Sequence, residues 1–211
     1  METNAYFIRH AQSVANENSF VVCWRSLESP LTLQWYTQAH QLARYFIWRI
    51  KTRVANTYMV SSPSVRTIST INIVSSYMWW NHHPLVLTPD LLEVDQWVWT
   101  GQPIKTILTP EILSQIKNNP DFSPPNGESN REVVARMSRI VESIKWYPRW
   151  STILFSCHGL STRILLGSML DSDRKISIPN TWIVHMSYSP ENNLRILENI
   201  WETPHLNPSS L

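Results

Sequence analysis

The residues with the clearest chemistry are Arg9 and His10, which follow a short apolar run, Ala5 to Ile8, typical of a buried strand. The carboxyl ends of strands in an open α/β sheet face the crevice in which ligands bind. A cation beside an imidazole favours the neutral imidazole, because a second positive charge there is unfavourable. Neutral imidazole is nucleophilic and can form covalent intermediates. The pair is therefore a candidate anion site with a nucleophile, although in isolation a polar strand end without chemistry explains it equally well.

Two further predicted strands end in groups that suit an anion. The strand Thr57–Val60 is followed by hydroxyl side chains and by Arg66, which we place in the first turn of the next helix. A helix N-terminus favours anions, whereas a cation placed only for stability belongs at the C-terminus. The strand Thr152–Ser156 ends in Cys157-His158-Gly159 and brings a second histidine to a strand end. We therefore expect two cations and two imidazoles in one crevice.

Two carboxylates follow a third predicted strand, Leu85–Leu87. Glu93 and Asp95 are two residues apart, so both face the same side if the segment is extended. Either is a candidate general acid, and the alternative is that both are solvated loop charges. The residues alone do not decide between them.

The elements that must position these groups alternate between strand and helix. This alternation predicts a three-layer α/β/α fold with a mostly parallel sheet. Two final strands, Ile183–Tyr188 and Leu194–Leu197, are expected to form a hairpin. Residues 103–126 are rich in Pro, Asn and Ser, carry one predicted helix near residues 111–117, and are interpreted as a lid. We treat residues 1–211 as one domain with this insertion.

Composition excludes several classes of protein. The formal net charge of +2, without a basic block, argues against a nucleic-acid partner, and no long apolar run indicates a membrane span. The first strand begins too close to Met1 for a signal peptide, and Cys23 and Cys157 form no CxxC motif, so a cytoplasmic location is expected. No metal or cofactor motif is present, and we expect neither group.

Several segments together resemble the histidine phosphatase superfamily, also called phosphoglycerate mutase-like. The run Arg9-His10-Ala11-Gln12-Ser13, with Asn16 after it, resembles the family's RHG signature. Further segments resemble its later motifs in the same order: Ser29-Pro30-Leu31-Thr32, Ser61-Ser62-Pro63 with Arg66, Leu92-Glu93 through Gly101, Asn126-Gly127-Glu128-Ser129, Ser156-Cys157-His158-Gly159 and Ile178-Pro179-Asn180. One such motif is weak, whereas this many in order favour the family strongly.

The resemblance implies a role for each site residue. His10 would be the nucleophile that becomes a phosphohistidine, and Glu93 the general acid that then activates water. His158 would act beside them on the transferring phosphoryl group. The remaining residues expected to bind this group are Arg9, Ser13, Asn16, Arg66 and Gly159. No metal is needed in such a site, because the arginines and His158 supply the positive charge.

Bulky residues replace several glycines of the family pattern. Trp35, Trp97 and Leu160 stand at such positions, and the chain has 4 glycines against 11 tryptophans. A bulky residue is strained wherever the replaced glycine had a positive φ. Trp97 and Leu160 would also narrow the pocket. Because the polar set is intact, we expect an active enzyme.

Three functions stay open at this point. The first is a metal-independent phosphomonoesterase that acts on a small phosphorylated substrate. The second is a bisphosphoglycerate-dependent mutase, although residues 93–97 lack the Glu-Arg-His-Tyr-Gly run associated with mutases. The third is an inactive relative that binds phospho-ligands or proteins, since exposed aromatic residues suit interfaces. The sequence names no substrate and does not decide the oligomeric state, for which a homodimer is one alternative.

Overall fold

A computed structural model describes residues 2–17, 21–22, 25, 27–50, 56–78, 84–170, 177–191 and 193–196. Its strands form one sheet in the order β3-β2-β4-β1-β5-β6. The strands are β1 (Thr3–Arg9), β2 (Thr57–Ser61), β3 (Val86–Leu87), β4 (Thr152–Cys157), β5 (Ile183–Ser189) and β6 (Asn193–Ile196). β1 to β4 pair in parallel, and β5 is antiparallel to both of its neighbours. The mostly parallel sheet and the final hairpin are confirmed.

Helices cover both faces of the sheet. They are α1 (Val14–Glu17), α2 (Leu33–Ile50), α3 (Val65–Ser76), α4 (Ile104–Ile107), α5 (Pro110–Asn118), α6 (Asn130–Ser143) and α7 (Gly159–Leu170). Successive residues of a strand point to opposite faces. Phe7 of β1 accordingly packs in a core with residues of α6 and α7, whereas Ile8 packs in a second core with residues of α2 and α3. This arrangement is the predicted three-layer fold.

The connections after β1 and β4 explain where a ligand site can form. These two strands are parallel neighbours, yet the chain leaves β1 towards α2 on one face and leaves β4 directly into α7 on the other. Such a divergence opens a crevice at the carboxyl ends of the two strands. Arg9 and His10 lie at the end of β1, on one side of this crevice, and His158 lies at the end of β4, on the other side.

Some boundaries differ from those expected. The insertion of residues 103–126 contains α4 as well as the expected helix, α5, and Asn16 lies in the short helix α1. α7 begins at Gly159, directly after His158, where a carboxylate from a distant loop, described below, accepts its first N–H groups. Cys23 and Leu197 lie outside the described residues.

Of the bulky residues at glycine positions of the family pattern, Trp97 is the one with a strained backbone conformation. Its φ is 30° and its side chain is 59% exposed, whereas Trp35 and Leu160 lie within helices α2 and α7 and have no positive φ. Only glycine adopts such a φ without a steric penalty. The Trp97 N–H donates to the Asp95 carboxylate at 3.0 Å, and this bond holds the turn in place.

Replacing Trp97 with glycine should therefore relieve this backbone strain. We expect Trp97→Gly to unfold with a free energy about 1 kcal/mol higher than Trp97→Ala, which removes the exposed indole but keeps the strained Cβ. Urea unfolding of both variants measures the difference. Equal stabilities would show that the backbone at this position carries no strain.

Candidate active site

His10 is buried and held from both sides through its backbone. Its N–H donates to the Cys157 carbonyl at 3.0 Å, and its own carbonyl accepts the Asn180 side-chain amide, also at 3.0 Å. Its Nδ1 lies 2.6 Å from the Ala11 carbonyl. Because a carbonyl oxygen only accepts, Nδ1 carries the ring proton and Nε2 presents its lone pair. The fold therefore selects the tautomer in which Nε2 is the nucleophilic atom.

Arg66 connects the two histidines. It lies in the first turn of α3, is 3% exposed, and donates from Nε to His10 Nε2 at 3.2 Å. Its Nη2 lies 3.2 Å from His158 Nδ1. A guanidinium only donates, so His158 Nδ1 accepts and its Nε2–H donates to Ser62 Oγ at 2.9 Å. The two imidazole rings are 5.1 Å apart between centroids. One arginine thus orients two neutral imidazoles.

Burial and neighbouring cations keep both rings neutral. Burial first, and then Arg66 and Arg9, lower the pKa of His10 well below its usual value, while the bond to the Ala11 carbonyl acts in the opposite direction. The pKa of His158 is lowered in the same way by burial and by Arg66, with further contributions from His10, Arg136 and Arg9. Both histidines are therefore neutral at pH 7, which agrees with the tautomers above.

Arg9 brings a second guanidinium to the same end of the sheet. It is the last residue of β1, and its Nη1 donates to the Ile178 carbonyl. A Cβ at position 159 would lie 3.0 Å from Arg9 Nε and 3.1 Å from its Cζ. Gly159 therefore leaves the space that this guanidinium occupies beside the start of α7. Two arginine forks beside a histidine lone pair form a site for a tetrahedral oxyanion.

Glu93 is held at the N-terminus of α7. Its Oε1 accepts the N–H groups of Ser161 at 2.8 Å and Val94 at 3.0 Å, and its Oε2 accepts that of Leu160 at 3.1 Å. A carboxylate at a helix N-terminus satisfies N–H groups that have no partner within the helix. The acid is thereby placed beside the backbone that follows His158.

Asp95 has different partners from Glu93, although the two were expected to share a face. Its carboxylate pairs with Arg25 at 3.0 Å and accepts the Trp97 N–H. Glu93 instead contacts α7, which begins directly after His158. The structure therefore places Glu93, and not Asp95, next to the crevice.

Ser13 and Asn16 bond to each other in the segment that follows His10. The Asn16 side-chain oxygen accepts the Ser13 N–H at 3.2 Å and lies 3.1 Å from the Ser13 hydroxyl. Ser13 is fully buried, and its backbone bridges to Leu31. Their expected contact with a phosphoryl group stays a prediction.

Sequence reasoning assigns no role to three residues that shape the site. Ser62 orients His158, Asn180 binds the His10 carbonyl, and Arg136 contributes to the electrostatic environment of His158. A hydroxyl at the end of β2 is a signal that could have identified Ser62. Arg136 has no such signal, because an arginine in an amphipathic helix normally faces solvent.

In the part of the chain that the structure describes, no three His, Cys, Asp or Glu side chains are grouped so as to hold a metal ion. Within the same residues, no helix combines the length and apolar character needed to cross a membrane.

The two buried neutral histidines make stability depend on pH. Below about pH 6.5 the unfolded chain protonates both histidines while the folded protein does not, so the free energy of unfolding decreases as pH falls. Each histidine contributes a slope of at most about 1.4 kcal/mol per pH unit. Unfolding of the wild type between pH 7 and pH 5 should show a steeper loss than His10→Gln, whereas His40→Gln, at an exposed position on α2, should match the wild type. Identical slopes for wild type and His10→Gln would contradict a neutral buried His10.

The contact between Gly159 and Arg9 predicts a defect in anion binding. In Gly159→Ala the new methyl group displaces the Arg9 guanidinium by a few tenths of an ångström, and we expect the Kd for inorganic phosphate to rise about 5-fold, equivalent to about 1 kcal/mol. Gly167→Ala is the matched control, since its Cβ meets no atom within 4 Å on the same helix. Titration calorimetry of both variants measures the effect, and equal Kd values would remove Arg9 from the anion site.

Known proteins resemble this chain over nearly its whole length. The sequence model of the Histidine phosphatase superfamily (branch 1) matches residues 5–199. The chain is 27% identical to a probable phosphoglycerate mutase GpmB of Proteus mirabilis, over 98% of this chain and 96% of that protein. Among solved structures, Bacillus stearothermophilus YhfR superposes with a TM-score of 0.76 at 20% identity, covering 97% of this chain and 100% of that chain.

A second solved structure shares the fold. A mycobacterial glucosyl-3-phosphoglycerate phosphatase in complex with VO3 superposes with a TM-score of 0.72 at 19% identity, covering 94% of this chain and 98% of that chain. The matched stretch of the family extends from β1 past β6 and contains both histidines and both arginines of the crevice. This chain therefore belongs to the histidine phosphatase superfamily.

Proposed function

We propose that the protein is a metal-independent phosphomonoesterase that forms a phosphohistidine on His10. The observation that carries the proposal is the state of the His10 ring, whose Nε2 lone pair points at Arg66 while Nδ1 is held by the Ala11 carbonyl. The same arginine reaches His158, so an oxyanion that takes the place of these contacts meets donors from Arg66 beside the nucleophile. Phosphoryl transfer depends mainly on such positioning and on neutralising the equatorial oxygens.

The first step transfers the phosphoryl group to the enzyme. The lone pair of His10 Nε2 forms the P–N bond, the P–O ester bond breaks, and its electron pair stays on the leaving oxygen. Glu93 gives this oxygen a proton. Oε2 of Glu93 accepts one described N–H and Oε1 accepts two, so Oε2 is the oxygen that holds the proton. Arg9, Arg66 and His158 bind the transferring group.

The second step returns the enzyme to its starting state. Water attacks the phosphorus and gives a proton to the Glu93 carboxylate, which acts now as a base. The P–N bond breaks, its electron pair returns to His10 Nε2, and inorganic phosphate leaves. A site that keeps His10 neutral supports both steps, because the imidazole must be unprotonated to attack.

A phosphoglycerate mutase is the second candidate, because the curated relative from Proteus mirabilis carries that name. A mutase would pass the phosphoryl group from His10 to a second hydroxyl rather than to water. Its substrates carry a carboxylate in addition to phosphate, which calls for a further cation. Arg25 already pairs with the Asp95 carboxylate at 3.0 Å and also lies 3.9 Å from Glu128. This pairing favours the phosphatase.

The substrate in this proposal is a small phosphate monoester in the cytoplasm. Residues 103–126 form the lid that meets its leaving group. The backbone at the start of this segment contacts residues that follow α1: Val22 donates to the carbonyl of Gln102, just before the segment, at 2.8 Å, and Val21 bridges to Pro103.

Loss of the nucleophile should abolish phosphate release. In EDTA we expect the wild type to release phosphate from 4-nitrophenyl phosphate and His10→Ala to lose at least about 10³-fold in kcat/KM. Phosphorus-labelled substrate, quenched in alkali, should leave label on the wild type and none on His10→Ala. His40→Ala, which removes an exposed histidine, is the matched control and should keep wild-type rates.

Three results would overturn this assignment. Unchanged turnover in His10→Ala would exclude a phosphohistidine at this position. Interconversion of phosphoglycerates faster than their hydrolysis would favour the mutase. A folded wild type that binds phosphate compounds without turnover between about pH 5 and pH 8 would identify an inactive binding relative.

A further inference from the structure

Arg136 is a buried arginine that donates hydrogen bonds to the segment carrying Glu93. It lies on α6 and is 6% exposed. Its Nη1 donates to the carbonyl of Asp90 at 2.8 Å and to that of Leu92 at 2.7 Å. Its Nε and Nη2 donate to the two carboxylate oxygens of Glu128 at 2.8 and 3.0 Å. All three nitrogens of the guanidinium are therefore engaged, and two of its bonds end on the backbone just before Glu93.

Glu128 binds the same segment on the C-terminal side of Glu93. Its Oε2 accepts the Asp95 N–H at 3.0 Å, and its own N–H donates to the Asp95 carbonyl at 2.8 Å. The backbones approach so closely that a Cβ on Gly127 would lie 2.5 Å from the Asp95 carbonyl oxygen. The Arg136–Glu128 pair thus binds the chain at residues 90, 92 and 95, on both sides of Glu93.

The pair is poorly explained as a source of stability alone. Removing two charges from water costs about as much as their attraction returns, so buried ion pairs add little net stability. Their geometric consequence is larger, because a bidentate arginine fork holds its acceptors in one arrangement. Here the acceptors are the carbonyls next to a side chain that must lie within reach of a leaving oxygen.

We propose that Arg136, through Glu128, is a positioning residue that holds Glu93 at the N-terminus of α7 for proton transfer to the leaving group. The inference rests on the proposed function, in which Glu93 is the general acid. The described hydrogen bonds of Arg136 go to Glu128 and to the Asp90 and Leu92 carbonyls, so it acts by fixing the backbone on each side of Glu93. A misplaced acid slows reactions that need protonation of the leaving oxygen and spares those that do not.

Two aryl phosphates of similar shape separate this role from a structural one. Phenyl phosphate expels a phenol that, like tyrosine, has a pKa of about 10 and depends on the acid, whereas 4-nitrophenyl phosphate expels a far better leaving group. Lysine keeps the charge at position 136 but lacks the planar fork. We expect Arg136→Lys to lower kcat/KM about 10-fold for phenyl phosphate and less than about 2-fold for 4-nitrophenyl phosphate.

The controls use neighbouring residues of the same network and helix. Arg131→Lys changes an arginine of α6 whose exposed side chain pairs with Asp121, and its kcat/KM ratio for the two esters should equal that of the wild type. Glu128→Gln removes the charge that holds Arg136 and should change the ratio in the same direction as Arg136→Lys. Because both esters are measured on one sample, a smaller folded fraction does not alter the ratio.

The outcomes distinguish the two proposals. If the wild type hydrolyses neither ester, the proposed function fails. If the wild type is active through His10 but Arg136→Lys and Glu128→Gln lower both rates equally, or neither, the positioning role is wrong. A selective loss with phenyl phosphate in both variants, absent in Arg131→Lys, supports it.

Discussion

The site depends on one cation placed between two buried imidazoles. Arg66 donates to His10 Nε2 and to His158 Nδ1, and both histidines are buried. A guanidinium cannot lose its proton in this setting, so each ring must remain an acceptor towards it. The acceptor roles of His10 Nε2 and His158 Nδ1 follow from that constraint, whereas the lowered pKa of each histidine comes first from burial and then from Arg66.

The N-terminus of α7 is the second centre of organisation. Gly159 leaves room for the Arg9 guanidinium, and the next two N–H groups bind Glu93. A basic group, an acidic group and the end of β4 therefore meet within three residues of one helix. The Arg136–Glu128 pair extends this arrangement outward, because it binds the backbone before and after the acid.

The scarcity of glycine has a local rather than a general consequence. Trp35 and Leu160 occupy helices, where a side chain is tolerated, whereas Trp97 takes a positive φ on an exposed turn. Gly127 and Gly159 remain where a Cβ would meet a neighbouring carbonyl or guanidinium. The chain thus retains these glycines where the backbone or a charged group approaches most closely.

The sequence by itself determined the architecture and the main polar groups. Apolar runs that end in Arg9-His10, before Arg66 and at His158 are local signals, and parallel strands bring such ends to one edge of a sheet. The family motifs are runs of residues that are close in sequence, so they can be read without a structure. The helix predicted to carry Arg66 in its first turn is α3, which begins at Val65.

Only the tertiary structure decided how these groups meet. Glu93 and Asp95 have different partners, α7 and Arg25, which lie about 70 residues away on either side in the chain. The tautomers of His10 and His158 depend on Ala11, Arg66 and Ser62 converging from separate elements. Arg136 matches the polar pattern of a surface helix and is nevertheless buried, because its partners come from the loop after β3 and from the turn before α6. Side-chain partners distant in sequence leave no periodic pattern, and for that reason the sequence does not reveal them.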